Sequence, residues 1–379
     1  MVRRCLDDLG NPRATHWGFR RSATLARVKT TVLSRIGGQR KTRTELAVVL
    51  FAIAGCRSAG PLVTTAPTSG APTSIARNLL PLASVWGFTA PWDARSDSSV
   101  RASAPKLDIL VTGWIQLDSS TTLPTLLYED TTRNLPHAER YALITSWHGD
   151  RFHPETVRRL GNDRGALSVA SARIGAIVAA QGYRGVVMDF EAQAPADIEL
   201  AVRVARTIAD SAKGHGARTT SIALPATDTA AYPARPFLSA VDYAVIMLYD
   251  EHWSTSAPGP VATTDWVRRA LAQRVADVGA SRVIAALPVY GYLWKPNQPA
   301  RPVGFHEAVR FALEANVELT RDPSSLSLHA MQPGSWELWM SDGQLLAALR
   351  AEVEAIGVMR VALWRLGLED PAIWSALSR

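Results

Sequence analysis

Beyond residue 80 the chain alternates eight short runs rich in β-branched and aromatic residues with longer stretches, several of them amphipathic, and few folds accept that order. The runs are 84–89 (SVWGFT), 108–114 (DILVTGW), 141–147 (YALITSW), 185–190 (GVVMDF), 219–224 (TTSIAL), 243–249 (YAVIMLY), 283–289 (VIAALPV) and 359–364 (MRVALW). Strands separated by helices form parallel sheets, because a parallel neighbour needs a long crossover. Two of the intervening segments, 166–181 and 197–213, carry apolar residues at helical spacing, with Gly182 and Gly214 placed to stop them. Eight strands favour a closed α/β architecture, the (β/α)8 TIM barrel, over an open doubly wound sheet. No Gly-rich phosphate loop follows the first strand, which argues against nucleotide binding. The long interval between strands seven and eight, about 295–345, predicts an insertion with secondary structure of its own.

Charge separates the chain into unlike parts. Residues 1–55 carry 11 Lys/Arg and 3 Asp/Glu, and the rest carries 30 basic and 31 acidic residues. The formal net charge of +7 therefore resides in the leader, and the near-neutral remainder offers no polyanion-binding surface, so nucleic acid is not an expected partner. Two cysteines, Cys5 and Cys56, exclude a disulfide framework and a Cys-rich zinc site. His148 and His153 share one loop without a metal-ligand pattern, so neither metal nor cofactor is expected.

Arg40, Lys41 and Arg43 precede the apolar run 46–52, and Ile53-Ala54-Gly55-Cys56 follows. A positive region, an apolar core and small residues before a cleavage point describe an export signal. The ending resembles the bacterial lipoprotein lipobox, which implies lipidation at Cys56. The alternative is a basic leader followed by a short buried helix. Residues 56–77, rich in Ser, Thr, Pro, Gly and Ala, read as a flexible linker. The expected organisation is thus leader and signal over 1–55, linker over 56–77 and barrel over 78–379. It places an exported protein on the cell envelope through a lipid anchor, or, without the anchor, makes it secreted. A monomer is the expected state.

Barrel enzymes carry their chemistry at the C-terminal ends of the strands. Strand four ends in Val187-Met188-Asp189-Phe190-Glu191, and side-chain alternation puts Val187, Asp189 and Glu191 on one face. Two carboxylates brought together resist joint ionisation, so one keeps its proton, as acid cleavage of a glycosidic bond requires. An Asp-x-Glu pair also occurs on ordinary strand ends, and spacing alone leaves both readings open. Of the 12 tryptophans, Trp92, Trp114, Trp147, Trp253, Trp294 and Trp364 fall at or just past strand ends. Such rings either stack on sugar faces or cover the barrel rim.

The segment GYRGVVMDFE resembles the signature strand of glycoside hydrolase family 18, Asp-x-x-Asp-x-Asp-x-Glu. Further similarities run through most of the domain: GFTAPWDARSDSSV at the first strand, Met247-Leu248-Tyr249-Asp250-Glu251-His252-Trp253 with PGPVATTDWV at the sixth, Pro288-Val289-Tyr290-Gly291-Tyr292 at the seventh, and Trp364-Arg365-Leu366-Gly367 with Glu369-Asp370-Pro371 at the last. The resemblance implies hydrolysis of β-linked N-acetylglucosamine polymers, peptidoglycan or chitin, with the substrate's acetamido oxygen as nucleophile and retention of configuration. It assigns Glu191 as general acid/base, Asp189 as the carboxylate orienting the acetamido N–H, and Tyr249 as donor to the acetamido carbonyl. It further implies substrate contacts from Asp250, Tyr290, Trp253 and a Trp364 floor, with Trp92, Trp114, Trp147 and Trp294 as candidate platforms. Arg184 and Val187 stand where the family's first two acids would be. The Val187 departure deprives Asp189 of a proton-sharing partner and implies an altered pH profile. Members resembling spore-cortex lytic enzymes also lack an acid there. A catalytically weak or inactive, lectin-like carbohydrate-binding barrel is the alternative.

Overall fold

The computed structural model describes residues 80–377 except 129, 136 and 137. The leader, Cys56 and the 56–77 linker lie outside the described residues.

Eight parallel strands form the barrel: β1 Ser84–Phe88, β2 Ile109–Leu117, β3 Glu139–Thr145, β4 Gly185–Asp189, β5 Thr219–Pro225, β6 Tyr243–Met247, β7 Val283–Pro288 and β8 Arg360–Trp364. Each pairs with its sequence neighbours, and β1 pairs with both β8 (Ser84↔Arg360) and β2 (Trp86↔Ile109), which closes the sheet. The expected (β/α)8 architecture is present, with one local departure. The β2–β3 connection carries no helix among the described residues; a three-residue strand, Pro124–Leu126, folds back antiparallel on β2 instead.

Two concentric apolar layers follow from strand alternation. Inward side chains, including Trp86, Val111, Tyr141, Val187, Tyr243, Ile284 and Ala362, fill the barrel. Outward ones, including Val186, Met188, Ile222, Ile246, Ala285 and Leu363, pack under the helices. The helices are α1 Ala94–Ser103, α2 Pro154–Asn162, α3 Arg164–Gln181, α4 Ile198–Gly214, α5 Ala234–Leu238, α6 Thr264–Val278, α7 Phe305–Glu314, α8 Gly343–Ala355 and the short α9 Ile373–Ala376. Three of these helices, α3, α6 and α8, start on side chains that take up otherwise orphaned N–H groups: Asp163 accepts from Ala166 at 2.9 Å, Thr263 from Trp266 at 3.3 Å, and Asp342 from Leu345 at 3.0 Å. Gly182 stops α3 in the left-handed region at φ 68°, as its position predicts. Gly214 does not stop α4. It is the last helical residue, and Gly216 takes the positive φ of 102° two positions later.

The insertion between β7 and β8 begins earlier than the 295–345 read from sequence. Strand Gly291–Trp294 leaves β7 almost directly and joins Arg301–Val303, Thr320–Arg321, Leu328–Gln332 and Trp336–Met340 in a five-stranded antiparallel sheet. One face, with Leu293, Ala330, Leu338 and Met340, packs on Ala308 and Ala312 of α7. The other carries Tyr292 and Trp294, which cluster with Tyr290, Val261 and Leu368 at the barrel mouth. The segment from 343 onward is not insertion but α8, the barrel's own return helix.

Candidate active site

Asp189 is the last residue of β4 and points inward above Val187, the barrel layer beneath it. Glu191 follows past the strand end, partly accessible, with its carboxyl close enough to that of Asp189 for each to shift the other's hold on a proton. Burial pushes the Asp189 carboxyl up, the neighbouring Glu191 acting against it. Glu191 is raised further, by burial first and then by the charges of Asp189 and Asp250. The pair therefore keeps a proton near neutrality, with Glu191 the better holder. Asp189 Oδ1 has no hydrogen-bond partner, and Val187 beside it in the interior has none to offer.

Strand β6 delivers the second group. Tyr249 and Asp250 lie just past its end, with Asp250 in the left-handed region at φ 62°. The hydroxyls of Tyr290 and Tyr292 both donate to Asp250 Oδ1, the latter at 3.2 Å. Burial raises the Asp250 carboxyl to about 6, and the two tyrosine bonds work against that rise. Tyr249, Tyr290 and Tyr292 are all pushed well up by burial and neighbouring carboxylates, so they remain hydrogen-bond donors. Trp364, at the end of β8, stacks against Tyr249 with centroids 6.1 Å apart and planes 13° from parallel; Phe88 of β1 meets it edge-on. The Trp364–Arg365 peptide is cis. Strands four, six, seven and eight thus converge Asp189, Glu191, Tyr249, Asp250, Tyr290 and Trp364 on one mouth.

The remaining tryptophans divide by exposure. Trp253 is 44% exposed, its indole N–H held by Thr255 at 2.9 Å. Trp92 is 38% exposed, lies near Tyr128, and has the Arg365 guanidinium over its ring. Trp147 is half-buried in the Trp147–His148 and Arg151–Phe152 hairpin, against Phe152. Trp114 and Trp294 differ from their sequence-based placement as platforms, because both are buried. A register shift between Val111 and Gly113 turns Trp114 inward, where it meets Trp92 edge-on and donates to the Thr89 carbonyl. Trp294 is packed with Tyr292 and donates to the Ser256 carbonyl.

Several neighbours of the site were given no role by the sequence. Arg365 bonds Asp93 at 3.0 Å. Glu251, inside the strand-six motif, accepts from the Thr263 N–H and fixes the loop rather than facing the mouth. Tyr232, in the β5–α5 loop, reaches the backbone around Glu191. Tyr292 closes the strand-seven motif, and its bond to Asp250 shows only in the structure. His148 and His153 are engaged with Ser119 and Glu155, and among the described residues no group of three or more His, Cys, Asp or Glu could hold a metal ion.

The fold has known counterparts. The chain is 27% identical over 248 residues to YdhD of Bacillus subtilis, provisionally named a sporulation-specific glycosylase, covering 62% of this chain and 59% of the relative. Thus it spans somewhat under two thirds of that protein's length. The crystal structure of the Bacillus cereus spore cortex-lytic enzyme SleL superposes with a TM-score of 0.68 at 21% identity, over 78% of this chain and 73% of that one. A class V chitinase from Pseudomonas fluorescens Pf-5 gives 0.70 at 21% identity, over 78% and 98%. No family model matches the chain. The fold is therefore that of the spore-cortex-lytic and class V chitinase barrels, in agreement with the glycoside hydrolase family 18 resemblance of the motifs.

Proposed function

We propose that the barrel is a retaining glycoside hydrolase that cleaves β-linked N-acetylglucosamine-containing polysaccharide, peptidoglycan or a chitin-like chain, acting as a monomer. The observation that carries this reading is the Asp189–Glu191 pair, brought together at the mouth beside Asp250 and the Tyr249–Trp364 stack. In the proposed cycle Glu191, protonated in the resting pair, gives its proton to the leaving oxygen. The substrate's acetamido oxygen attacks the anomeric carbon as the glycosidic bond breaks, forming an oxazolinium ion. Asp189 accepts the acetamido N–H and stabilises the positive charge that develops. Tyr249 donates to the acetamido oxygen, Asp250 engages a sugar hydroxyl, and Trp364 lies under the ring. Glu191 then takes a proton from water as the ring opens, restoring its starting state. Exposed Trp253 and Trp92 suit sugar stacking farther along the cleft.

Mass spectrometry of products from peptidoglycan and from chito-oligosaccharides tests the reading. Fragments ending in reducing N-acetylglucosamine are expected, and the substrate that yields them names the polymer. Val187 favours a second reading, a sugar-binding barrel without turnover; oligosaccharide bound but intact would establish it. The lipobox-like ending at Cys56 supports anchoring at the cell envelope, with secretion as the alternative. An alkyne-labelled fatty acid should label the wild type and not Cys56→Ala; equal labelling of both would remove the anchor.

A further inference from the structure

Glu191 does not sit on the strand that aims it. Strand β4 ends at Asp189, and the chain then turns sharply, with Ala192 in the left-handed region at φ 59°. A non-glycine residue there is strained and persists only where the surroundings over-determine it. The surroundings are on the next strand's loop. The Tyr232 hydroxyl donates to the Phe190 carbonyl at 3.2 Å and accepts the Gln193 N–H at 2.8 Å. One buried hydroxyl thus clips together the residue before Glu191 and the second residue after it. The Gln193 side-chain amide closes the turn from within, donating to the Glu191 carbonyl at 3.2 Å.

Tyr232 is itself held from behind. Arg274 of α6 is fully buried and directs its guanidinium at backbone carbonyls: Tyr232 at 2.6 Å, Ala226 at 3.2 Å, Asp228 at 3.4 Å, and Pro225 at the end of β5. The fixed fork of an arginine suits this, presenting several donors in one rigid plane. Four carbonyls spread over the β5–α5 loop are tied to one helix, and the loop delivers one hydroxyl to the turn of Glu191.

We propose that Tyr232 is a positioning residue for Glu191, holding the acid against Asp189 through the turn 190–193, with Arg274 fixing Tyr232 in turn. This rests on the hydrolase reading above for its catalytic consequence, but not for its structural content. The groups facing the Glu191 carboxyl are Asp189 from β4 and Tyr249 and Asp250 from the end of β6; Tyr232 approaches from the β5–α5 loop with Asp228 beside it. A relaxed turn withdraws Glu191 from Asp189 and from the desolvated mouth, and both changes favour its ionised form.

The test is Tyr232→Phe, which keeps the ring and removes only the clip, read by carboxyl carbon-13 NMR titration of Glu191 and by steady-state kinetics. The Glu191 midpoint is expected to fall by about half a pH unit or more. On a cleaved oligosaccharide kcat is expected to fall roughly ten- to a hundredfold with KM changed less than about threefold. An unmoved titration midpoint overturns the proposal, as does a rise in KM at constant kcat, which would make Tyr232 a substrate contact. Should the wild type cleave no glycan, the hydrolase reading fails while the titration still decides this one. Should Tyr232→Phe not fold, Arg274→Lys decides, because it loosens Tyr232 from behind: the midpoint is expected to move the same way and kcat to drop about threefold or more, and wild-type values overturn the proposal.

Discussion

At the scale of single residues, the mouth of the barrel concentrates groups whose burial opposes their charge. Asp250 is the simplest case, because its carboxyl rises to about 6 from an ordinary 3.8, chiefly through burial. The folded chain therefore binds this proton more tightly than the unfolded chain. The stabilisation that follows is complete below about pH 4 and is lost as pH climbs through about 6. Asp250→Asn cannot titrate, and its amide oxygen can still accept from Tyr290 and Tyr292. It is expected to be more stable than the wild type at pH 7.5, by up to about 3 kcal/mol. The two melting curves should converge near pH 4; a variant less stable than the wild type at pH 7.5 would show that the ionised carboxylate is well compensated. Such a gain in stability from removing a buried charge is the usual counterpart of a functional site. The same physics sets the proposed pH profile. Activity requires one proton on the Asp189–Glu191 pair, so it falls on the acid side when both are protonated and on the basic side when both are bare. Glu191, raised by burial and by its neighbours' charge, extends the basic limb beyond the ordinary range of a carboxyl.

Among the elements, all eight barrel strands were legible, each predicted run overlapping the strand found there, because inward and outward positions are both apolar and the intervening segments are helical or turn-rich. Where the residues at strand ends would point was not legible from composition alone. Trp114 and Trp294 show the limit: a tryptophan at a strand end reads as a rim ring, but a one-residue register shift sends Trp114 inside. The antiparallel sheet of the insertion similarly buries Trp294. Tyr232 and Arg274 were illegible for a different reason. They act on backbone atoms of other loops, and backbone partners leave no trace in residue identity. Arg274 inside α6 reads in sequence as an ordinary polar helix position. Its replacement by Met should nonetheless cost roughly 2–4 kcal/mol, because several buried carbonyls lose their donor. Urea unfolding measures this, and a loss under about 0.5 kcal/mol would mean the loop finds other partners.

For the molecule as a whole, closure of the barrel makes the site possible. Strand β8 joins β7 to β1, so Trp364 from the last strand stands beside Phe88 from the first and Tyr249 from the sixth. Residues far apart in sequence share one mouth because all eight strands run parallel and end on the same side. The insertion adds Tyr292, which shares Asp250 with Tyr290, and thereby couples its sheet to the mouth. The near-neutral charge beyond residue 55 gives no basic surface for holding a polyanion. Glu191 is the proposed proton donor and acceptor, and the direct measurement is turnover of a cleaved glycan by Glu191→Gln, alongside its melting temperature. Glutamine keeps the shape and cannot transfer the proton, so turnover should drop by roughly two to four orders of magnitude with a melting temperature no lower than that of the wild type. Turnover equal to the wild type in a folded variant would contradict that role.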